Sequence, residues 1–117
     1  MSDSELMLLA IKEGRRSTEP LRCGVIIAKD GEIVSKALNS QRADNNATSH
    51  AEIKAIGEAG VKLANKNLYG CVIYCTCEPC VMCLSAIAYA KIKKLVFGLS
   101  LEDIKLESSS FVAIGLD

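Results

Sequence analysis

Two short stretches of this sequence constrain its fold more than any other feature. One reads His-Ala-Glu at residues 50–52, and the other reads Pro-Cys-Val-Met-Cys at residues 79–83. One histidine and two cysteines are three good ligands for zinc, and a catalytic zinc keeps its fourth position open for water. The fold therefore has to bring His50, Cys80 and Cys83 together. Glu52 is not needed as a ligand, so it stays free to transfer protons.

The spacing of these residues predicts that both stretches open helices. Cys83 follows Cys80 by one helical turn, so both thiols point the same way, and Pro79 suits the first turn of a helix. Helix N-termini favour the thiolate over the thiol. Zinc would lower the pKa of its bound water to about 7, and Glu52 would pass the water proton to a ring nitrogen and then to the leaving amine. The predicted reaction is hydrolytic removal of an amino group from an amidine-like carbon of cytosine, adenine or guanine.

Each of these residues also has an interpretation without catalysis. Ser49 and Glu52 fit a capping box, in which the glutamate only satisfies the helix end. A single histidine such as His50 is more often a satisfied surface or core residue. The two stretches together favour zinc, because they rarely coincide by chance.

The cysteines have alternatives of their own. Cys80 and Cys83 alone would fit a redox pair in a thioredoxin-like setting. Cys77 adds a third cysteine with the spacing of an iron–sulfur run, but the fourth position of that run is Ile87. The cysteines outside the proposed ligand set are interpreted as small buried apolar residues: Cys23, Cys71, Cys75 and Cys77.

Length and composition favour one domain, residues 1–117, with enough apolar residues for its own core, since half of them are hydrophobic. The 14 basic and 14 acidic residues cancel, which gives no overall attraction to nucleic acid or membrane. An acidic N-terminus followed by the short apolar run Leu6–Ile11 predicts neither a signal peptide nor a membrane span. We therefore expect a cytoplasmic protein whose cysteines are thiols and metal ligands.

The apolar periodicity predicts the element order α-β-β-α-β-α-β. The predicted helices are Ser4 to about Gly14, Ser49 to about Ala59 and Cys80 to Ala90, and the predicted strands are Cys23–Ala28, Glu32–Leu38, Cys71–Cys75 and Leu95–Gly98. Asp30-Gly31 predicts a hairpin turn between the first two strands, and residues 39–48 a polar loop. Leu101–Asp117 has at most a short strand or helical turn. Helices alternating with strands predict an α/β fold, a three-layer α-β-α sandwich with a central mixed sheet.

Residues 50–56 (HAEIKAI), 74–83 (YCTCEPCVMC) and 85–87 (SAI) resemble the cytidine deaminase-like superfamily. The similarity extends from the first strand to Gly98. The branch that it is most similar to holds guanine deaminases, tRNA adenosine deaminases and fungal-type cytosine deaminases. The resemblance implies one zinc per chain on His50, Cys80 and Cys83, with Glu52 as the proton shuttle.

The resemblance also implies residues that hold the base. Asn39 is expected to hydrogen-bond it, although asparagine also begins many loops as a turn residue. Backbone groups of Ala51 are expected to help complete the pocket. Homodimers or larger homo-oligomers are common in the superfamily, and the apolar helix from Cys80 to Ala90 is a suitable interface.

The substrate is expected to be a small nucleobase or nucleoside of guanine or cytosine type. An adenosine-to-inosine tRNA-editing enzyme and a non-catalytic zinc-stapled subunit are the alternatives. Val81 stands where guanine deaminases often have proline, and residues 45–49 replace their usual Asp-Pro-Thr. The only basic run is Lys91, Lys93 and Lys94, so a nucleic-acid partner is less favoured.

The segment after the fourth strand is shorter than the one that closes the pocket in relatives. We therefore expect an open pocket, closure by a neighbouring subunit, or a truncated sequence.

Overall fold

The computed structural model describes residues 1–99, which form a four-stranded sheet with helices on both faces. The elements are α1 (Asp3–Gly14), β1 (Gly24–Lys29), β2 (Glu32–Leu38), α2 (Gln41–Asp44), α3 (Ala51–Leu63), β3 (Cys71–Cys77), α4 (Val81–Tyr89) and β4 (Lys94–Leu99). The strand order is β2-β1-β3-β4. Strand β1 is antiparallel to both of its neighbours, whereas β3 and β4 are parallel. The predicted α/β fold with a mixed sheet is confirmed.

Helix α1 covers one face of the sheet. Its buried residues Leu6 and Ala10 pack in one cluster with Ile26, Ala28 and Tyr74. The helix begins at Asp3, one residue before the predicted start at Ser4, because Ser2 and Glu5 form a capping box: each side chain accepts a hydrogen bond from the other residue's backbone N–H. The cap fixes the start of the helix that covers this face.

Helices α3 and α4 lie on the opposite face. Helix α3 turns a stripe of alanines, Ala51, Ala55 and Ala59, towards the sheet, and all three are fully buried. Small side chains allow the helix axis to approach the strands closely, so the start of α3 is held firmly against the sheet. Glu52 is also buried on this helix.

The turn between β1 and β2 is the predicted one. Asp30 and Gly31 both have positive φ, 52° and 76°, as a two-residue type I′ hairpin requires. Lys29, the last residue of β1, pairs with Glu32, the first residue of β2. Local turn residues thus set the register of this hairpin.

Several predicted boundaries were wrong. Helix α3 continues past Gly60 because Leu63 still packs against the core, and it ends at Ala64 in the left-handed conformation. Helix α4 begins at Val81 with Cys80 as its N-cap, so Pro79 lies just before the helix. None of the helices within residues 1–99 is long and apolar enough to cross a bilayer. The features predicted for Leu101–Asp117 lie outside the described residues.

Candidate metal centre

The three predicted metal ligands meet where α3 and α4 begin. His50 is the N-cap of α3, Cys80 is the N-cap of α4, and Cys83 lies in the first turn of α4. The His50 Nδ1 atom is 3.4 Å from the Cys83 Sγ and 3.7 Å from the Cys80 Sγ. The three donor atoms all lie within 4.8 Å of one another. The fold therefore assembles one compact donor group from two segments that are far apart in the sequence.

The spacing of these donors fits zinc. Bond lengths of about 2.3 Å to sulfur and about 2.0–2.1 Å to nitrogen place tetrahedral N and S ligands about 3.6 Å apart. The two N···S separations of 3.4 and 3.7 Å lie on either side of that value. Cys83 is buried, whereas His50 and Cys80 are half-buried, so one side of the group is open to a further ligand.

The electrostatics of the group favour a thiolate. Hydrogen bonds from Cys83 and His50 lower the pKa of Cys80 to about 3. The hydrogen bond to Cys80 in turn raises the pKa of His50. The pKa of Cys83 is raised by its contact with Cys80 and by burial. Negative charge is thus concentrated on Cys80, and the thiolate is the form in which cysteine binds a metal.

Glu52 is a buried carboxylate beside this group. It is the second residue of α3 and only 7% exposed. Burial raises its pKa, while its own backbone N–H, the His50 charge and a hydrogen bond with Cys83 act in the opposite direction. The capping-box interpretation is wrong, because His50 and not Ser49 is the N-cap and no side chain caps α3. The glutamate is therefore not part of a capping box with Ser49.

Asn39 directly follows β2 and is 5% exposed. Its Oδ1 accepts the backbone N–H of Cys23 at 2.9 Å, and its Nδ2 donates to the Leu21 carbonyl at 2.6 Å. An asparagine amide has two N–H donors, so one of them is left for a ligand. The expected contact with a base stays a prediction, as does the role of the Ala51 backbone.

Two residues that position the site were missed by the sequence analysis. The Lys54 Nζ of α3 donates to the Leu38 carbonyl at 2.9 Å and to the Ser40 Oγ at 2.7 Å, which holds the segment around Asn39 against the helix. The buried Glu19 accepts the Arg42 backbone N–H with both oxygens and so holds the start of α2. Both contacts join distant segments, and no local pattern marks them.

Comparison with known proteins identifies the family. The sequence profile of the cytidine and deoxycytidylate deaminase zinc-binding region matches residues 1–99. The chain belongs to this deaminase family. The predicted resemblance is confirmed, and the zinc-binding region of the family includes the donor group found here.

Relatives of this deaminase-family chain include tRNA-specific adenosine deaminases and guanine deaminases. A tRNA-specific adenosine deaminase of Aquifex aeolicus is 41% identical over 99 residues, which are 83% of this chain and 66% of that protein. The crystal structure of guanine deaminase from Bacillus subtilis matches with a TM-score of 0.86 at 31% identity, over 92% of this chain and 71% of that one. A tRNA:A34 deaminase structure matches with a TM-score of 0.79 at 35% identity, over 83% and 76%. The chain thus spans just under two thirds of the Aquifex protein.

Replacing one ligand of this family's metal site should remove the zinc. We expect wild-type protein to hold one zinc per chain and Cys80→Ser to hold almost none, because the half-exposed hydroxyl does not ionise to replace the thiolate. Elemental analysis after dialysis against a weak chelator measures this. Cys71→Ala, at the far end of β3, is the matched control and should keep its zinc. Full zinc occupancy in Cys80→Ser would contradict the assignment.

Proposed function

We propose that this protein is a hydrolytic deaminase that replaces an amino group on a nucleobase ring by oxygen and releases ammonia. The observation that supports this best is the buried carboxylate of Glu52 beside the donor group of His50, Cys80 and Cys83. Burying a carboxylate costs free energy on folding, which argues against a subunit whose metal serves the fold alone.

Each residue of the site has a separate role in this reaction. Zinc on His50, Cys80 and Cys83 would supply a water activated near neutral pH. Glu52 takes one proton of the attacking water and delivers it to the ring nitrogen next to the reacting carbon. It then takes the remaining proton of the new hydroxyl group as the carbonyl forms and passes it to the amine, so that the C–N bond breaks and ammonia leaves. Its raised pKa suits a group that both accepts and returns a proton.

The base would be held by two groups near the start of α3, the Asn39 amide and the Ala51 backbone. The second N–H of the Asn39 amide donates to an acceptor on the ring. The Ala51 N–H lies in the first turn of α3, where backbone donors have no acceptor within the helix. Lys54 keeps the Asn39 segment against α3, so these two donors are fixed relative to each other.

For the substrate, we propose adenosine in tRNA first and free guanine second. Two relatives named tRNA-specific adenosine deaminase, from Aquifex aeolicus and Buchnera aphidicola, are 41% and 38% identical, whereas the guanine deaminase is 31% identical. The proposed substrate therefore differs from the guanine or cytosine type that the sequence motifs favour. The zero net charge implies that any RNA contact comes from a local basic surface and is salt-sensitive.

The experiment is to incubate zinc-loaded protein with a tRNA anticodon stem-loop and separately with guanine, cytosine, adenine and their nucleosides. Inosine in the RNA, with ammonia release, supports the first substrate. Ammonia release from one of the free bases or nucleosides supports a small-molecule substrate instead. If no substrate of the panel reacts although the protein holds one zinc per chain, the proposed reaction is contradicted and the non-catalytic subunit is favoured.

We also propose that α4 packs against a second copy of the chain. The helix is apolar almost throughout, yet only Cys83 and Ile87 are buried on it. Leu84 and Tyr89 are 40% and 83% exposed, and Phe97 on the neighbouring β4 is 43% exposed. An apolar helix with one buried side is typical of a subunit interface.

Charges on this helix should therefore break an oligomer. Leu84→Glu combined with Tyr89→Glu is expected to convert a homodimer or larger assembly into monomers, because two charges would lose their water in the interface. Light scattering after size-exclusion chromatography gives the mass. Val61→Glu on α3, at an equally exposed position, is the control and should leave the mass unchanged. A monomeric wild-type protein would contradict the interface.

We place the protein in the cytoplasm. All six cysteines lie within the described residues, and none of them forms a disulfide there. Reduced thiols are typical of a reducing compartment, where structural disulfides are rare.

A further inference from the structure

Two cysteines next to the metal centre lie side by side where β1 begins and β3 ends. The Sγ atoms of Cys23 and Cys77 are 2.9 Å apart. The donor group identified within residues 1–99 contains neither of them. Cys77 is 8% exposed, whereas Cys23 is half-buried and so is the more accessible of the two.

The register of the sheet creates this proximity. Val25 lies opposite Cys75 in the antiparallel pair of β1 and β3, and the Gly24 N–H donates to the Thr76 Oγ1 at 3.0 Å. One further step along each strand places Cys23 opposite Cys77. Directly opposite residues have Cβ atoms about 4.5–5.5 Å apart, close to the roughly 3.5–4.5 Å that a disulfide needs.

Backbone hydrogen bonds hold Cys23 in this position. Its N–H donates to the Asn39 Oδ1 at 2.9 Å, and its carbonyl accepts the Asn39 N–H at 3.2 Å. The two thiols are therefore brought together by the fold, and a bond between them requires a movement of only about 1 Å.

We propose that Cys23 and Cys77 are an oxidation site that closes to a reversible intramolecular disulfide when the protein meets a peroxide. The Cys23 sulfur attacks one peroxide oxygen, the O–O bond breaks, and a sulfenic acid forms as the first water leaves. The Cys77 sulfur then attacks the sulfenic sulfur, the S–O bond breaks, and the second water leaves. Two thiols lose two electrons and two protons in total, and hydrogen peroxide is reduced to two waters.

This reaction would leave the metal ligands intact. Thiolates bound to zinc are engaged with the metal, so Cys80 and Cys83 are less available to the oxidant than Cys23. The hydrogen bond with Cys77 and burial raise the pKa of Cys23, so its thiolate is scarce at neutral pH and the reaction is expected to be slow. A dithiol reductant would restore both thiols by exchange.

The test treats the zinc-loaded full chain with hydrogen peroxide, alkylates the remaining thiols under denaturing conditions, and maps the linkages by tandem mass spectrometry. We expect a Cys23–Cys77 cross-link, loss of two of the six thiols, unchanged zinc content, and full reversal by dithiothreitol. The wild-type chain alone supplies this readout, so it does not depend on how any variant folds.

Two variants test which cysteines form the cross-link. Cys23→Ala should give no cross-link, and Cys71→Ala should give the same one as the wild type. A Cys80–Cys83 disulfide with loss of zinc as the main product would overturn the proposal. So would oxidation of Cys23 to sulfinic acid without any bond to Cys77.

Discussion

Replacing Glu52 by glutamine should abolish ammonia release from every substrate that the wild-type protein accepts, while one zinc per chain remains bound. The amide keeps the size and polarity of the carboxyl group but does not take or return a proton. Loss of general acid–base catalysis lowers rates by about 10²- to 10⁴-fold. Turnover measured beside zinc content, on the substrate found for the wild type, gives the result.

The stability of this variant separates catalysis from folding. Burial disfavours the ionised form of Glu52, as its raised pKa indicates. A neutral glutamine does not bury a charge, so the thermal midpoint of Glu52→Gln should be no lower than that of the wild type. Glu58→Gln is the matched control, since Glu58 lies on the exposed side of the same helix, and its activity should be unchanged. Near-normal activity in Glu52→Gln would exclude the glutamate as the proton shuttle.

The second large effect is expected at Gly24, where α1 meets the first residue of β1. A Cβ atom at this position would collide with the Ala10 carbonyl oxygen and with the backbone of Gly14, whose Cα would be 2.8 Å away. All of these are main-chain atoms, so no side-chain rotation relieves the clash. Gly24→Ala should therefore lift the end of α1 from the sheet and lower the free energy of unfolding by about 3 kcal/mol or more.

Urea unfolding of Gly24→Ala beside the wild type measures this change. Gly57→Ala is the control and should change the free energy of unfolding in the opposite direction. Gly57 is an exposed residue of α3, and a methyl group added there would have no other atom within 4 Å. Alanine is the better helix former, so this variant should gain about 0.5–1 kcal/mol. Equal stability of Gly24→Ala and the wild type would show that α1 does not approach β1 as closely as described.

The metal centre could be predicted from the sequence because ligand chemistry is specific. A histidine and two cysteines at helix-start positions have few other uses in combination, and the structure places the three donors within 4.8 Å. The elements around them follow from local patterns in the same way. Strand β2 has the predicted bounds, and the Asp30–Gly31 turn has the predicted conformation.

What could not be predicted depends on contacts between distant segments. Residues 41–44 were expected to be part of a loop. They form α2 because the start of this helix is held by Glu19, which is far away in the sequence. The predicted end of α3 at about Ala59 was wrong, because packing of Leu63 outweighs the roughly 1 kcal/mol that a glycine such as Gly60 costs inside a helix. The Ser49–Glu52 capping box fits the local pattern, yet the cap position is taken by His50.

The central place of β1 in the sheet has a consequence for synthesis of the chain on the ribosome. One edge of β1 pairs with β2 as soon as the hairpin emerges, but its other edge waits for β3, which follows only after α3. During that interval a strand of buried apolar residues, Val25–Ala28, exposes unpaired backbone groups, a template for aggregation. Early docking of α3 on the nascent hairpin would cover one face but not this edge, so the nascent chain is expected to be most vulnerable until Cys77 has left the exit tunnel.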